Sequence, residues 1–492
     1  MKELLQKKLA AYVADFNAND EECYRQAIGN EEALAWLSAQ IPLLDCPDGL
    51  LEKIYYFRFW TLRKHVKRTE DGYVMTEFLP DVAWAGKHNT IIAPFSHHLA
   101  ESKWLADRTV MDDYTDHFLT ERGDPYSYST PLLYAFYAYC VHHNDRAWAT
   151  AHLDDMLRIY ANLCEQHGLA NGLFWSVDDR DAMEFSISGT TDDGVMQKGM
   201  RPTLNSYMAA NAYAIARVAE WAGCEELVRE YDRKHDEIRD QLNTTLWDGD
   251  FYRAVHGPDE NNLPCVQETC PEQTVRELIG YIPFAYDLAP KGAEAAFKYL
   301  FDRSGFLCDV GFTTAEQSHP RFLYRVKHAC TWNGYVWPYA TSQVVDAMAR
   351  TLKKEQNVLT KEHLYEAIHT YAKSHFLDLP DGRRVPWIDE AKHPFTDRWI
   401  TRDILMNGDW RVCGGYERGK DYNHSTYCDM ILSHLLGISF LDGEISVVPQ
   451  IPDGWTHFAV ANLQNGGRTY TVLYDRDGSH YGRGTGLQIL CE

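Results

Sequence analysis

The sequence predicts an all-α protein, an (α/α)6 barrel with a small C-terminal β appendage. Three observations predict it. Helical segments of two kinds alternate, some nearly free of charge and some with a charged stripe. The connections that lead from the second kind into the first are long and aromatic. After Gly437 the pattern changes to short strands separated by turns. A helix that is apolar all round must be buried, whereas one with a charged stripe faces solvent. Strict alternation therefore means two concentric layers, six helices wrapped by six.

Taken in order, residues 1–66 hold three helical patterns, at 1–16, 31–39 and 48–66. Residues 72–79 read as a strand and 84–90 as a loop, before helices at 97–109 and 112–119. Pro131 suits the first turn of the next helix, where its missing N–H costs nothing. Residues 131–142 contain no Asp, Glu, Lys or Arg, while 145–166 are amphipathic. Residues 203–221 are nearly uncharged and rich in small side chains, and 224–245 are charged on one side. Residues 276–286 are mixed and 290–302 carry an outward charged face. Residues 337–350 are mostly apolar, 360–374 charged, and 424–436 mostly apolar again. The connections 166–202, 246–275, 303–336 and 375–423 are of a length that usually serves function. They are expected to gather at one rim around a deep cleft. Residues 1–439 form the expected catalytic barrel. Residues 440–492 form the β appendage, with strands at 445–448, 458–460, 470–474 and 486–490 and Pro, Gly and Asp at the turns.

Composition excludes several classes. A net charge of −23 argues against a nucleic-acid partner, whose phosphates need Lys and Arg, and leaves no polybasic patch for an anionic membrane. No apolar stretch approaches the roughly 20 residues a membrane span needs. The amphipathic start lacks the apolar run of a signal peptide, so a cytoplasmic chain is expected, and the sequons at Asn243 and Asn423 carry little meaning. The twelve cysteines are scattered, and Cys140, Cys164 and Cys428 fall inside helical patterns, as small buried hydrophobes in a reducing compartment. Cys265 and Cys270 lack a second ligand pair for zinc. No metal and no cofactor is expected. The expected partner is a small saccharide or glycoside, and a homo-oligomer is compatible with the composition.

Three stretches gather groups that do chemistry. The first, residues 173–189, packs Asp178, Asp179, Asp181 and Glu184 beside Trp175 and Phe185. Carboxylates close together raise each other's pKa, and apolar neighbours raise it further, which keeps a carboxylic acid protonated for general acid work. A solvated acidic loop or a Ca²⁺ site would use the same composition. The second, residues 385–399, sets Glu390 between Trp387 and Trp399. The third, residues 414–425, presents Glu417, Tyr422 and His424 ahead of the last inner helix, with Asn423 as its N-cap. Arg201 and Asn205 open an inner helix and are expected to reach the cleft. Trp332 and Trp337 flank Gly334 just before Pro338. Paired indoles at a helix mouth suit either core packing or a stacked sugar ring, and their place at the rim favours the sugar. His97 and His98 lack a third ligand at helical spacing and read as buried structural histidines.

Together these stretches resemble the (α/α)6-barrel inverting glycosidases, the glucosidase, trehalase and mannosylglycerate-hydrolase-like group, over about residues 85–437. Trp332-Asn-Gly-Tyr-Val-Trp337 looks like the group's Trp-Arg-Gly-Pro-Val-Trp signature, with Asn333 and Tyr335 departing from it. Ser129-Thr-Pro131-Leu-Leu is similar to its Gln-Pro-Pro-Leu. The group's general acid lies in a Ser-Gly-Met-Asp-Asn-Ser stretch, onto which Asp181-Ala-Met-Glu184-Phe-Ser186 falls, with Glu in place of Asp. Its general base is the Glu of Glu-x-x-x-Pro-x-Thr-Gly, matched by Glu390-Ala-Lys-His-Pro394-Phe-Thr396-Asp397 except at Asp397.

The resemblance implies single-displacement hydrolysis of an α-glycosidic bond, exo-acting on an α-glucoside or α-mannoside. Glu184 is the expected acid and Glu390 the expected base, with Glu417 in reserve. Inversion needs the two carboxyl groups about 6.5–9.5 Å apart. Trp175, Asp178, Asp181, Arg201, Asn205, Trp332, Trp337, Glu417, Tyr422 and His424 are the expected sugar contacts. A rhamnosidase or arabinosidase on the same barrel is the alternative hydrolase. A sugar epimerase or lyase would instead move protons with His97, His98 and His424, and a non-catalytic binding protein would bind without turnover.

Overall fold

A computed structural model describes residues 2–191, 194–256, 274–324, 328–408 and 414–491. Cys265, Cys270 and much of the 246–275 connection lie outside the described residues. The inner layer is a ring of six elements. These are the helices Phe95–Ser102, Leu132–His143 and Pro202–Trp221, the paired turns Leu278–Tyr281 and Ile282–Ala285, the helix Pro338–Leu352, and a π-helical turn at Met430–Leu435. Each packs on the next. The ring closes because the buried Glu101 carboxylate accepts the backbone N–H groups of Tyr427, Cys428 and Asp429 at 2.9–3.1 Å. These are the donors a helix start leaves unpaired, so one side chain caps the last inner element and joins it to the first.

The outer layer is Gly49–Leu62, Thr109–Leu119, Leu153–His167, Glu225–Thr245, the 3-10 turn Ala293–Tyr299 and Lys361–Ser374. The layering follows charge. Sixteen of the 20 residues of Pro202–Trp221 are buried, against three of the 21 in Glu225–Thr245. Gly49–Leu62 is buried on nearly all sides because Lys2–Ala18 lies over it.

The expected helices differ from the observed ones in detail. The segment 145–166 breaks at His152, whose imidazole is held between Asp155 (2.8 Å) and Asp116 (3.1 Å). The segment 276–286 tightens to a 3-10 turn where Gly280 meets Phe251 so closely that a Cβ would clash. Gly437, at φ +66° with the Val448 carbonyl against its Cα, ends the helical layer. The β region then forms a hairpin of Ile438–Leu441 with Glu444–Val447, and a four-stranded antiparallel sheet. That sheet orders Leu43–Asp45, His457–Asn465, Arg468–Asp475 and Gly486–Cys491. Its edge strand comes from the opposite end of the chain, Leu43 facing Ala461. Three residues carry too little alternation to read as a strand. Among the described residues no helix is long and apolar enough to cross a membrane.

Candidate active site

The first carboxylate stands on a loop held from beneath. Asp178 accepts the Asp179 N–H on one oxygen, and on the other the Ser186 N–H, the Ser186 hydroxyl and the Thr190 hydroxyl, at 2.7–3.0 Å. Asp181 pairs with Arg201 at 2.6 Å and also holds Ser176 and Thr203. Asn205 clamps the Phe174 N–H and C=O at 2.8 and 2.9 Å. Four expected sugar contacts, Asp178, Asp181, Arg201 and Asn205, are thus buried hydrogen-bonding struts of the acid loop. The partners that satisfy them lie up to 31 residues away in sequence. The loop they brace carries left-handed backbone at Ala182 and Phe185, both φ 57°, on either side of Glu184. Such non-glycine positions cost about 1–3 kcal/mol each and persist only where the surroundings over-determine them.

Glu184 accepts a hydrogen bond from the Cys330 thiol at 2.8 Å, while its backbone carbonyl receives the Trp332 N–H at 3.0 Å. Burial, helped by Asp179 and Asp178, lifts its carboxyl to about 7 against the pull of the thiol. Glu390 is built differently. It forms a two-point ion pair with Arg418, at 2.7 and 3.1 Å, with both side chains buried. Its loop is pinned to the Trp332–Trp337 loop by reciprocal Val336 and Lys392 backbone bonds of 2.8 and 2.9 Å. Beside it Asp389 accepts the Glu390 N–H at 2.8 Å. Burial and the Glu390 charge push Asp389 up to about 7. Gly419 lies directly on Asp389, where a Cβ would overlap the carboxylate.

A third glutamate completes the cluster. Glu77 follows the strand Gly72–Met75, is buried, and takes the Tyr422 hydroxyl at 3.1 Å. Burial raises its carboxyl well above the usual range, and the fields of Glu390 and Glu184 raise it further. Glu77 therefore lies within electrostatic reach of both Glu184 and Glu390, and Glu390 is in contact with a guanidinium.

The profile of the mannosylglycerate hydrolase MGH1-like glycoside hydrolase domain matches residues 87–425. The chain belongs to this family of glycoside hydrolases. A solved structure named as a sialidase superposes on 99% of the chain with a TM-score of 0.87 and 32% identity, the chain spanning 43% of that protein. The GH78 family rhamnosidase of a Bacillus species matches 88% of the chain at TM-score 0.58 and 12% identity, over 40% of its own length. An uncharacterized conserved protein from Thermus thermophilus matches 77% at TM-score 0.51 and 11% identity, over 98% of its length. The last two show a shared fold alone. The chain spans less than half the length of the first two.

In this chain, Trp332 and Trp337 stack on each other, centroids 4.3 Å apart and 12° from parallel, and both are buried. Each gives a face to its neighbour, so the pair is a packed support for the rim and not an open two-indole platform. Trp175 is half-buried with Lys198 over its ring at 3.9 Å. Glu417, the reserve base, is tied to Arg402 at 2.5 Å. Tyr422 and His424 do reach the carboxylates. The His424 Nδ1 sits 3.0 Å from Glu77 without hydrogen-bond alignment, and its ring meets Tyr339 at 4.3 Å. His98 bonds the Asn423 carbonyl (2.7 Å) and Tyr114 (3.1 Å). Burial holds His97 down at about 3 and His98 at about 4, which leaves both as neutral packing groups and weakens a histidine-driven epimerase. Among the described residues the His, Cys, Asp and Glu groupings with metal-ligand spacing are Asp45, His457, His480 and Glu70, Asp71, His88. Neither includes a site glutamate.

Sequence reasoning missed Glu77, Cys330, Asp389 and Arg418 as site residues. The only local signal for Glu77 is an acid between Thr76 and Phe78 at the end of a predicted strand. Arg418 stands in the 414–425 stretch beside Glu417, whose carboxylate is the more obvious candidate.

Proposed function

We propose that the chain hydrolyses the α-glycosidic bond of a small saccharide with inversion, Glu184 acting as general acid and Glu390 as general base. The asymmetry of the two glutamates carries the reading. Glu184, its carboxyl raised to about 7 by burial and bonded by the Cys330 thiol, holds its proton near neutral pH. Glu390, ion-paired to Arg418, is the carboxylate. A glutamate with a raised carboxyl facing the chemistry alongside a second glutamate paired to a cation is the division of roles an acid–base pair needs. Glu184 protonates the departing glycosidic oxygen as its bond to the anomeric carbon breaks. Glu390 takes a proton from a water that attacks the opposite face, and the anomeric configuration inverts. Glu77, neutral and held by Tyr422, offers a donor and an acceptor to a sugar hydroxyl between them.

The substrate favoured by the family is an α-glucoside or α-mannoside. A second reading, an α-sialoside, rests on the sialidase-named relative at 32% identity across nearly the whole chain. Aryl α-glucoside, α-mannoside, α-rhamnoside and α-sialoside are assayed side by side, with NMR of the first-formed anomer. A β-anomer from an α-glucoside or α-mannoside supports the first reading, and turnover of the sialoside alone replaces it with the second. Retention of configuration would sink the single-displacement mechanism.

A further inference from the structure

Tyr339 packs between His424 (4.3 Å) and His97 (4.5 Å). His97 also lines a cavity that neither Tyr339 nor His424 lines. This cavity of about 510 Å³ runs down to the C-terminal ends of the inner helices, within the range of roughly 300–1,000 Å³ typical of small-molecule sites. None of the site glutamates lines it.

Its wall has two parts. The deep part is neutral and hydrogen-bonding. It presents Tyr134, Tyr207, Tyr286, Gln343, His97 and His142. His97 and His142 are only 8% and 6% exposed, Arg350 donates to the Tyr134 hydroxyl at 2.9 Å, and Gln343 donates to the Tyr207 hydroxyl at 2.7 Å. Convergent polar side chains in a pocket of this size are how small-molecule sites fix the orientation of a ligand. Burial keeps both His97 and His142 uncharged, so each ring offers one donor and one acceptor.

The mouth is charged. Lys103 pairs with Asp429 at 2.8 Å and Lys354 with Asp287 at 2.6 Å, while Arg350 lies 3.5 Å from Asp346 and 3.7 Å from Asp287. Lys353 lines the same mouth and makes no ion pair among the described residues. The mouth thus keeps one cation in excess beside a guanidinium loosely held by its acids.

We propose that this lumen is a second binding site, separate from the carboxylate cluster, for a small polyhydroxyl anion of monosaccharide size, a sugar acid or a sugar monophosphate. Hydroxyls meet the neutral histidines and tyrosines, and the anionic group meets Lys353 and Arg350.

The test is calorimetric titration of the full chain with gluconate, glucose 6-phosphate, glucose and inorganic phosphate. The same titrations are run on Glu184→Gln, Lys353→Met and Arg350→Met. At least one sugar anion is expected to bind tenfold or more tightly than both glucose and inorganic phosphate. That preference falls at least tenfold in Lys353→Met or Arg350→Met and is unchanged in Glu184→Gln. Whether the carboxylate or the phosphate binds better distinguishes the two sources. Absence of saturable binding, equal binding of inorganic phosphate, or loss of binding in Glu184→Gln with both cation variants unaffected would each overturn the proposal. The glycosidase reading stands or falls on turnover and is independent of these titrations.

Discussion

The two ends of this barrel handle buried charge in opposite ways. At the N-terminal rim, Glu77, Glu184, Asp389 and Glu390 crowd together with Arg418 as the guanidinium in contact, and Asp389 rises to about 7. At the C-terminal end each aspartate has a cation, and Arg350 with His434 holds Asp346 down at about 2 against its burial. The same residue type thus settles high at one end and low at the other, because one end leaves its acids unbalanced and the other neutralises them pair by pair. Unbalanced acid is costly to a fold and useful to proton transfer. That several such acids gather where the long connections converge is the physical mark of the candidate site.

The largest effect expected from breaking this contrast is loss of chemistry. Glu184→Gln and Glu390→Gln should each lower kcat/KM by about 10²–10⁴-fold, the usual weight of a general acid or base, with little change in melting temperature. Wild-type rates in both would remove the assignment. Next comes Arg418→Met, which leaves Glu390 buried without its partner. Stability should fall by about 3–5 kcal/mol, read from urea denaturation, together with activity. A smaller effect concerns pH. Activity should decline as pH rises through about 7, where Glu184 loses its proton. The Cys330 thiol favours the charged form, so Cys330→Ala should move that limb to higher pH, and a shift the other way would contradict the thiol's role. Folding adds a linked signature. Glu184, Asp389 and Glu77 bind protons more tightly folded than unfolded, so stability contributed below about pH 4 is lost as pH rises towards 7 and beyond. Buried neutral His97, His98 and His142 act the opposite way over the same range, so the carboxyl contribution is read as the difference in pH slope of the melting temperature between wild type and Glu77→Gln, and an unchanged slope would count against a raised Glu77. Subtlest is Glu77. Gln mimics its neutral form, so Glu77→Gln should keep most activity at neutral pH while Glu77→Ala raises KM. An inactive Gln variant would make Glu77 an ionised participant.

How much of this was legible depended on how local each signal was. The layers were readable because a charged stripe is a property of one helix, as Pro202–Trp221 and Glu225–Thr245 show. Glu184 and Glu390 could be singled out as candidates because each lies in a short stretch with its own neighbours. Glu77 was invisible because what makes it a site residue, the Tyr422 hydroxyl, is 345 positions away. Asp178 and Asp181 were found but read as sugar contacts. An acid near a catalytic acid looks the same in sequence whether it faces ligand or bonds Arg201 and Thr190 beneath the loop. The tryptophans show a related limit. Their spacing predicted a pair at the rim, and the stacking of one on the other follows from the turn at Gly334, where φ is 137°. The π-helical and 3-10 inner elements were beyond periodicity, since their geometry is imposed by neighbours such as Glu101.

The strand Leu43–Asp45 has a consequence in time. It waits for Ala459–Ala461, and Glu101 waits for Tyr427–Asp429, before either finds its partner. Contacts of such sequence separation form late and slowly. During synthesis the early helices would emerge with an apolar seam and the Glu101 carboxylate still unmatched, until the segments around Tyr427–Asp429 and Ala459–Ala461 appear. Closure of the ring is then the step at which this protein commits to its fold.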